Sequence, residues 1–177
     1  MPLYKIRADL RVNDDNRNLV LVAIENETPA HLGLKLAAYL SFWEQDLTLE
    51  ASAKHPALAG SAFRPDLLGT DIGGQVTHWI ECGRTSSNKI EKVLRKWPDA
   101  ALIVFKESEF VARQFRREVL KEMPRGERVA VYCWKDGGFA EWMDCLAEKI
   151  DVFGDCGGGK FNLVIGEKIY TQDLLKI

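Results

Sequence analysis

The chain has 177 residues with 46% hydrophobic and 28% charged positions, enough to bury a sizeable core and too apolar for a disordered segment. A net charge of -2 excludes a uniformly basic nucleic-acid coat. No apolar run reaches the ~20 residues of a membrane span, and Lys5 and Arg7 interrupt what would be the apolar stretch of a signal peptide, so the sequence reads as a cytoplasmic protein with no membrane partner. Cys82, Cys133, Cys145 and Cys156 lack the close pairing of a zinc site and read as reduced thiols.

Residues 3–12 and 18–24 read as strands joined by a turn at Asn13-Asp14-Asp15-Asn16, a β-hairpin. Thr28 is suited to cap a helix and Pro29 to begin it; Leu32, Leu36, Tyr39, Leu40 and Trp43 carry the helical spacing over 29–45. Leu47 to Glu50 is a short strand candidate. Residues 51–74, rich in Ala, Gly, Ser and Pro, read as a long irregular loop, a length that often carries function. From 75 to 154 the pattern alternates: strand 76–82, helix 86–97, strand 101–105, helix 108–122, strand 128–134, helix 137–148, strand 150–154. The chain ends in a hairpin, 161–165 and 168–172, turning at Gly166-Glu167. This alternation predicts an α/β fold: a mixed β-sheet flanked by helices, preceded by an antiparallel hairpin and a helix, in a single domain over 1–177.

The stretch that could carry chemistry is Pro65 to Gly83. Asp66 and Glu81 bracket a Gly-rich turn and a strand. Strand alternation places Gln75, Thr77, Trp79 and Glu81 on one face and Val76, His78, Ile80 and Cys82 on the other. A carboxylate beside Trp79 is covered, which is costly unless a cation pairs with it. Mg²⁺ is such a cation: it takes carboxylate and water oxygens, acidifies its water and offsets charge on a phosphate. On a helical wheel of the next helix, Lys89 flanks the apolar stripe while Lys92 points outward, so geometry prefers Lys89 as a lysine near the phosphate. Residues 84–128 hold 12 Lys/Arg against 7 Asp/Glu, a local excess that could face a phosphate-rich partner. Asp71 reads as a turn residue and His78 as a sheet residue facing away from Glu81. Gly157-Gly158-Gly159-Lys160 lacks the upstream Gly and following Ser/Thr of a phosphate-binding loop and reads as a turn.

Pro65-Asp66-Leu67, Asp71, Gly74, Trp79-Ile80-Glu81-x-Gly83 and the Lys-Ile-x-Lys at 89–92 together resemble the YaeQ family of bacterial proteins. Glu27-Thr28, Lys35 to Tyr39 and the opening hairpin with Tyr4-Lys5 fit the same resemblance. It implies a variant of the restriction-endonuclease-like fold of the PD-(D/E)XK superfamily, with a Mg²⁺-dependent nuclease-like site for which Mn²⁺ is a substitute. Its metal carboxylates fall on Asp66 and Glu81. Gly83 stands where the pattern has its lysine, so the replacement comes from the next helix; the family pattern favours Lys92 and the wheel favours Lys89. Two other positions depart from the pattern: Arg84 in place of a glutamine, and Ala30 in place of an acidic residue. The implied function is cleavage of nucleic acid, DNA or RNA. The alternatives are an inactive nucleic-acid-binding or regulatory module on the same fold, and an interaction protein using Trp134, Phe139 and Trp142 as an aromatic surface.

Overall fold

The computed structural model describes residues 2–177. Strands β1 (Lys5–Val12) and β2 (Asp15–Val22) form the expected hairpin. Its two-residue turn, Asn13-Asp14, has both residues at positive φ (51° and 62°), the geometry that matches strand twist and that Asn and Asp tolerate. Helix α1 (Pro29–Ser41) begins as its sequence predicts: Thr28 Oγ1 accepts a hydrogen bond from the His31 amide at 3.3 Å, and Pro29 occupies the first turn. It is four residues shorter than the expected 29–45, because Phe42 leaves helical geometry and Trp43–Gln45 form a 3₁₀ turn.

β3 (Thr48–Leu49) opens a segment that is more ordered than its composition implies. Pro56–Leu58 make a 3₁₀ turn, and Leu67–Thr70 form a true strand, β4. β4 escapes a reading by periodicity because it is four residues long and contains Gly69; an added Cβ there would meet His78 Cβ at 2.9 Å. The rest follows the expected alternation: β5 (Val76–Cys82), α2 (Ser87–Lys96), β6 (Ala101–Lys106), α3 (Glu109–Glu122), β7 (Val129–Cys133), α4 (Gly138–Asp144), β8 (Lys149–Gly157), β9 (Lys160–Ile165), β10 (Lys168–Asp173) and a short β11 (Leu175–Lys176). Ser86 and Ser108 cap α2 and α3.

The mixed α/β class holds, with the strands parted into two sheets rather than one. One is ordered β10-β9-β8-β1-β2, with β1 and β8 parallel and the other pairs antiparallel. The other is ordered β11-β7-β6-β5-β4-β3, parallel at its centre and antiparallel at both edges. α1 lies between them. Its residues from Leu32 to Ser41 are all buried, and its apolar side chains share one cluster with Ile6, Leu10 and Val152 of the first sheet and Leu67, Ile80 and Phe105 of the second. A helix covered on both sides must be apolar nearly all round, which is how α1 reads. On the far face of the second sheet, α2 and α3 pack through Ile90, Val93, Leu94, Phe115 and Val119 onto Leu68, Trp79, Leu102 and Val104.

A bulge corrects the expected alternation in β5. Gly69 pairs with His78 but Thr70 pairs with Val76, so Thr77 is an extra residue. Val76 therefore lies in the same cluster as Trp79, not on the opposite face. Beyond the bulge the alternation holds, and it is this part that carries Glu81.

Candidate functional site

Asp66 directly precedes β4, hydrogen-bonded into the sheet: its amide donates to the Ile80 carbonyl at 3.0 Å. Its carboxylate is divided between two partners. Oδ2 accepts from the Cys82 amide at 2.7 Å, and Oδ1 lies 3.0 Å from His31 Nε2 on α1. Burial acts to raise its pKa, but the His31 and Cys82 hydrogen bonds and the Lys35 charge outweigh it and hold the carboxyl below its ordinary value. Asp66 is thus a fixed carboxylate, ionised at neutral pH.

Glu81 sits two residues beyond Trp79 on the α2 side of β5 and is 3% exposed. The Trp79 indole donates to Oε1 at 2.7 Å, and the Lys89 ammonium lies 2.8 Å from Oε2. Burial is the largest influence on Glu81, and Asp66 adds to it; Lys89 and Trp79 oppose, and the balance leaves the pKa raised. Two neighbouring carboxyls are therefore pushed in opposite directions, one toward permanent charge and the other toward holding a proton. Such a divergence is the usual physical basis for dividing acid and base roles between two groups.

Of the two lysines left open by the sequence, the structure brings Lys89 to Glu81 and sends Lys92 elsewhere: the Lys92 ammonium lies 5.7 Å from the centre of the Phe63 ring. Lys89 also donates to the Arg64 carbonyl at 3.0 Å, and Lys96 to the Ala59 carbonyl at 2.9 Å. The three lysines of α2 thus clamp the 51–66 segment. Other basic residues of the 84–128 excess are also engaged. Arg95 and Arg113 pair with Glu91 and Glu109 one helical turn away, Arg116 ties α3 to the carbonyls of Gly126 and Val129, and Lys106 is buried. Much of the local charge is therefore structural rather than a free phosphate-binding face.

Lys106 is a residue that the sequence reading missed. It ends β6 beside β5, donates to the Gly83 carbonyl and lies 4.3 Å over the Phe115 ring. Burial lowers its pKa, against the pull of Glu107, Glu118 and Glu81. Standing just after the apolar run 101–105, it read as an ordinary residue leaving the strand.

A second group was also missed, although the sequence carried its residues. Lys35, 1% exposed on α1, forms ion pairs with Glu27 and Glu50, and its ammonium lies 3.9 Å from Asp66 Oδ1. Burial works to lower the Lys35 pKa, but its hydrogen bonds with Glu27 and Glu50 win and raise it. Glu27 Oε1 is also 3.4 Å from His31 Nε2. Glu27 and Lys35 both stand in stretches that carry the family resemblance, and that was the available signal. What sequence spacing could not give was their approach to Asp66, which α1 makes by packing across β4 and β5.

Asp71 is a turn residue: its Oδ1 accepts from the Gly73 and Gln75 amides at 2.9 Å each. His78 packs against Phe42 away from Glu81, and burial lowers its pKa. Gly158 and Gly159, both at positive φ, form the two-residue turn between β8 and β9. Trp134 and Trp142 are fully buried and Phe139 packs on Trp134, so these rings form core rather than a docking surface. The four cysteines are free thiols. No helix among the described residues is long and apolar enough to cross a membrane.

This two-sheet mixed α/β architecture is also that of solved proteins. The crystal structure of the YaeQ protein from Xanthomonas axonopodis pv. citri superposes with a TM-score of 0.73 at 17% identity, covering 98% of this chain and 97% of that one. The YaeQ protein from Pseudomonas syringae does so with a TM-score of 0.71 at 15% identity, covering 98% and 94%. At such identity these likenesses show the fold. The YaeQ protein family model matches residues 8–150, and the chain belongs to that family. No curated protein matches the sequence.

Proposed function

We propose that this protein is a metal-dependent phosphodiesterase of restriction-endonuclease-like architecture, acting on DNA or RNA in a reducing compartment such as the cytoplasm. The observation that carries the reading is the pair of adjoining carboxyls at the β4–β5 edge, Asp66 held ionised and Glu81 held toward protonation, with the Lys89 ammonium on the latter. The donor chemistry fits Mg²⁺ or Mn²⁺: hard carboxylate oxygens, with Asp66 charged at neutral pH. Asp66 and Glu81 would hold the ion, which when bound supplies charge on the phosphate and a more acidic water.

The chain's own groups supply the remainder. Lys89, whose ammonium lies on Glu81, can turn to a phosphate oxygen and offset its charge. Burial raises the Glu81 pKa above that of a free carboxyl, so holding a cation offsets what its ionised form costs there. Arg64 and Arg84 are exposed beside these residues in sequence and can meet flanking phosphates.

The test is a cleavage assay on supercoiled and single-stranded DNA and on structured RNA, with Mg²⁺ or Mn²⁺. The expected result is cleavage that Asp66→Asn, Glu81→Gln and Lys89→Met each abolish while Lys92→Met does not. Activity surviving both carboxyl substitutions, or no cleavage on any substrate by folded protein that binds the ion, overturns the reading.

A further inference from the structure

The metal carboxylates expected from the sequence are Asp66 and Glu81, yet the charge in this region is unevenly settled. Glu81 already has a lysine on it, 2.7–2.8 Å from each oxygen. On the other side of Asp66, three carboxylates, Glu27, Glu50 and Asp66, face the single ammonium of Lys35. That group stays negative whichever form the imidazole of His31 takes. Glu27 and Asp66 are largely buried, with side chains 8% and 16% exposed, where uncompensated charge is costly.

The geometry of the excess is directional. Asp66 Oδ2 is tied to the Cys82 amide, so Oδ1 is the oxygen left to face α1. There Nε2 of His31 is 3.0 Å from Asp66 Oδ1 and 3.4 Å from Glu27 Oε1. One ring nitrogen can give one proton to one of these oxygens; a cation can accept the nitrogen and both oxygens together. One donor atom from each of the three residues falls within 4.8 Å of the others. They come from three separate places, the loop before α1, the first turn of α1 and the start of β4, so the fold rather than local sequence assembles them.

We infer that Glu27, His31 and Asp66 form a binding site for a divalent first-row transition ion on the α1 side of Asp66. An imidazole with two carboxylates suits Mn²⁺, Fe²⁺ or Zn²⁺ better than Mg²⁺ or Ca²⁺, which prefer all-oxygen shells. Lys35 stays paired with Glu50 when Glu27 turns an oxygen to the ion. The site shares Asp66 with the proposed reaction but depends on neither Glu81 nor Lys89, so it stands or falls separately.

The experiment uses the full chain labelled with ¹⁵N-histidine, titrated with Mn²⁺ and read by pulsed electron paramagnetic resonance. The expected result is a nitrogen coupling to bound Mn²⁺ that His31→Gln removes and that His55→Gln and His78→Gln retain. His31→Gln and Glu27→Gln should weaken Mn²⁺ about tenfold or more, the lower end of what losing even an outer-shell partner costs. Glu81→Gln should leave the nitrogen coupling in place, because Glu81 is not one of the three donors. His31 is partly exposed and glutamine keeps a donor for Asp66, so His31→Gln tests the site even where Glu27→Gln disturbs folding through Lys35. The inference is overturned by Mn²⁺ bound without nitrogen coupling, by binding that His31→Gln leaves intact, or by no binding at all. Binding lost in Glu81→Gln but kept in His31→Gln would overturn it and uphold the Asp66–Glu81 site. Nitrogen-coupled binding with no cleavage of any nucleic acid would uphold it and overturn the phosphodiesterase.

Discussion

The ammonium of Lys89 sits 2.7 Å from one oxygen of the Glu81 carboxylate and 2.8 Å from the other. This contact compensates a carboxyl that is 3% exposed. Lys89→Met leaves Glu81 with only the Trp79 indole, and is expected to destabilise the fold by about 1–3 kcal/mol. A fully buried pair would lose more, but Lys89 is 22% exposed and water softens the loss. Lys92→Met removes only a ring contact and should change stability by about 0.5 kcal/mol. The Lys89→Met loss should grow as pH rises and Glu81 is obliged to ionise. Urea denaturation at acid and neutral pH checks both; equal losses in the two variants would mean that Glu81 does not depend on Lys89.

The helical wheel favoured Lys89, which borders the buried stripe of the amphipathic α2 and does lie on Glu81, while the family pattern favoured Lys92, so the sequence left the choice open. Other features were legible for equally local reasons: the opening hairpin, though its turn is Asn13-Asp14 rather than the four residues 13–16, the Thr28 cap and the alternation from β5 to β8. What failed did so where distant pairing decides. β4 is a strand because β5 and β3 bind it, not because Leu67-Leu68-Gly69-Thr70 has strand character. The bulge at Thr77 shifts Val76 across the sheet, a change invisible in the sequence alternation. The division into two sheets depends on β8 pairing with β1 across more than 130 residues of chain, which no window can show. Glu27 and Lys35 were readable as resemblance but not as chemistry, and His31 carried no signal at all, since only the packing of α1 brings them to Asp66.

Asp66 has a sign that can be checked. Its pKa is lower folded than unfolded, because the His31 and Cys82 hydrogen bonds and the Lys35 charge outweigh burial. Its contribution to stability is therefore complete above the unfolded value of about 3.9 and is lost as pH falls through the lower folded value. Asp66→Asn should be less stable than the parent at pH 7, with the difference shrinking below about pH 4. Denaturation midpoints from pH 7 to pH 2.5 measure it. A difference constant over that range would mean that the ionised carboxyl contributes nothing special.

The 51–66 segment is held to α2 by Lys96 on the Ala59 carbonyl, Lys92 over the Phe63 ring and Lys89 on the Arg64 carbonyl. Leu58, 2% exposed, and Phe63 anchor it beneath to the cluster containing Trp79. Lys54 is an exposed trypsin site at its near end. Phe63→Ala combined with Lys96→Met should speed cleavage at Lys54 several-fold in native conditions while leaving the global unfolding free energy within about 2 kcal/mol of the parent. An unchanged cleavage rate would show that the strap opens only when the whole protein unfolds.

The backbone at Gly83 disfavours a strand lysine at this position. The residue has φ +71°, its amide donates to the Phe105 carbonyl at 2.8 Å and its own carbonyl accepts from Lys106. The chain leaves β5 there by a turn into the left-handed region, which a side chain disfavours by about 1–2 kcal/mol. An added Cβ meets Leu34 at an ordinary 3.4 Å, so the penalty is backbone strain more than crowding. Gly83→Lys should therefore destabilise the protein by about 1–2 kcal/mol. Gly83→Ala should lose about the same, because the strain is set by the backbone and not by the charge. Gly74→Ala, at φ +78° with open space around it, serves as the reference for strain alone. Urea denaturation of the three variants should group them together; a Gly83→Lys protein as stable as the parent would show that β5 can extend through residue 83 and present a lysine in line with Glu81.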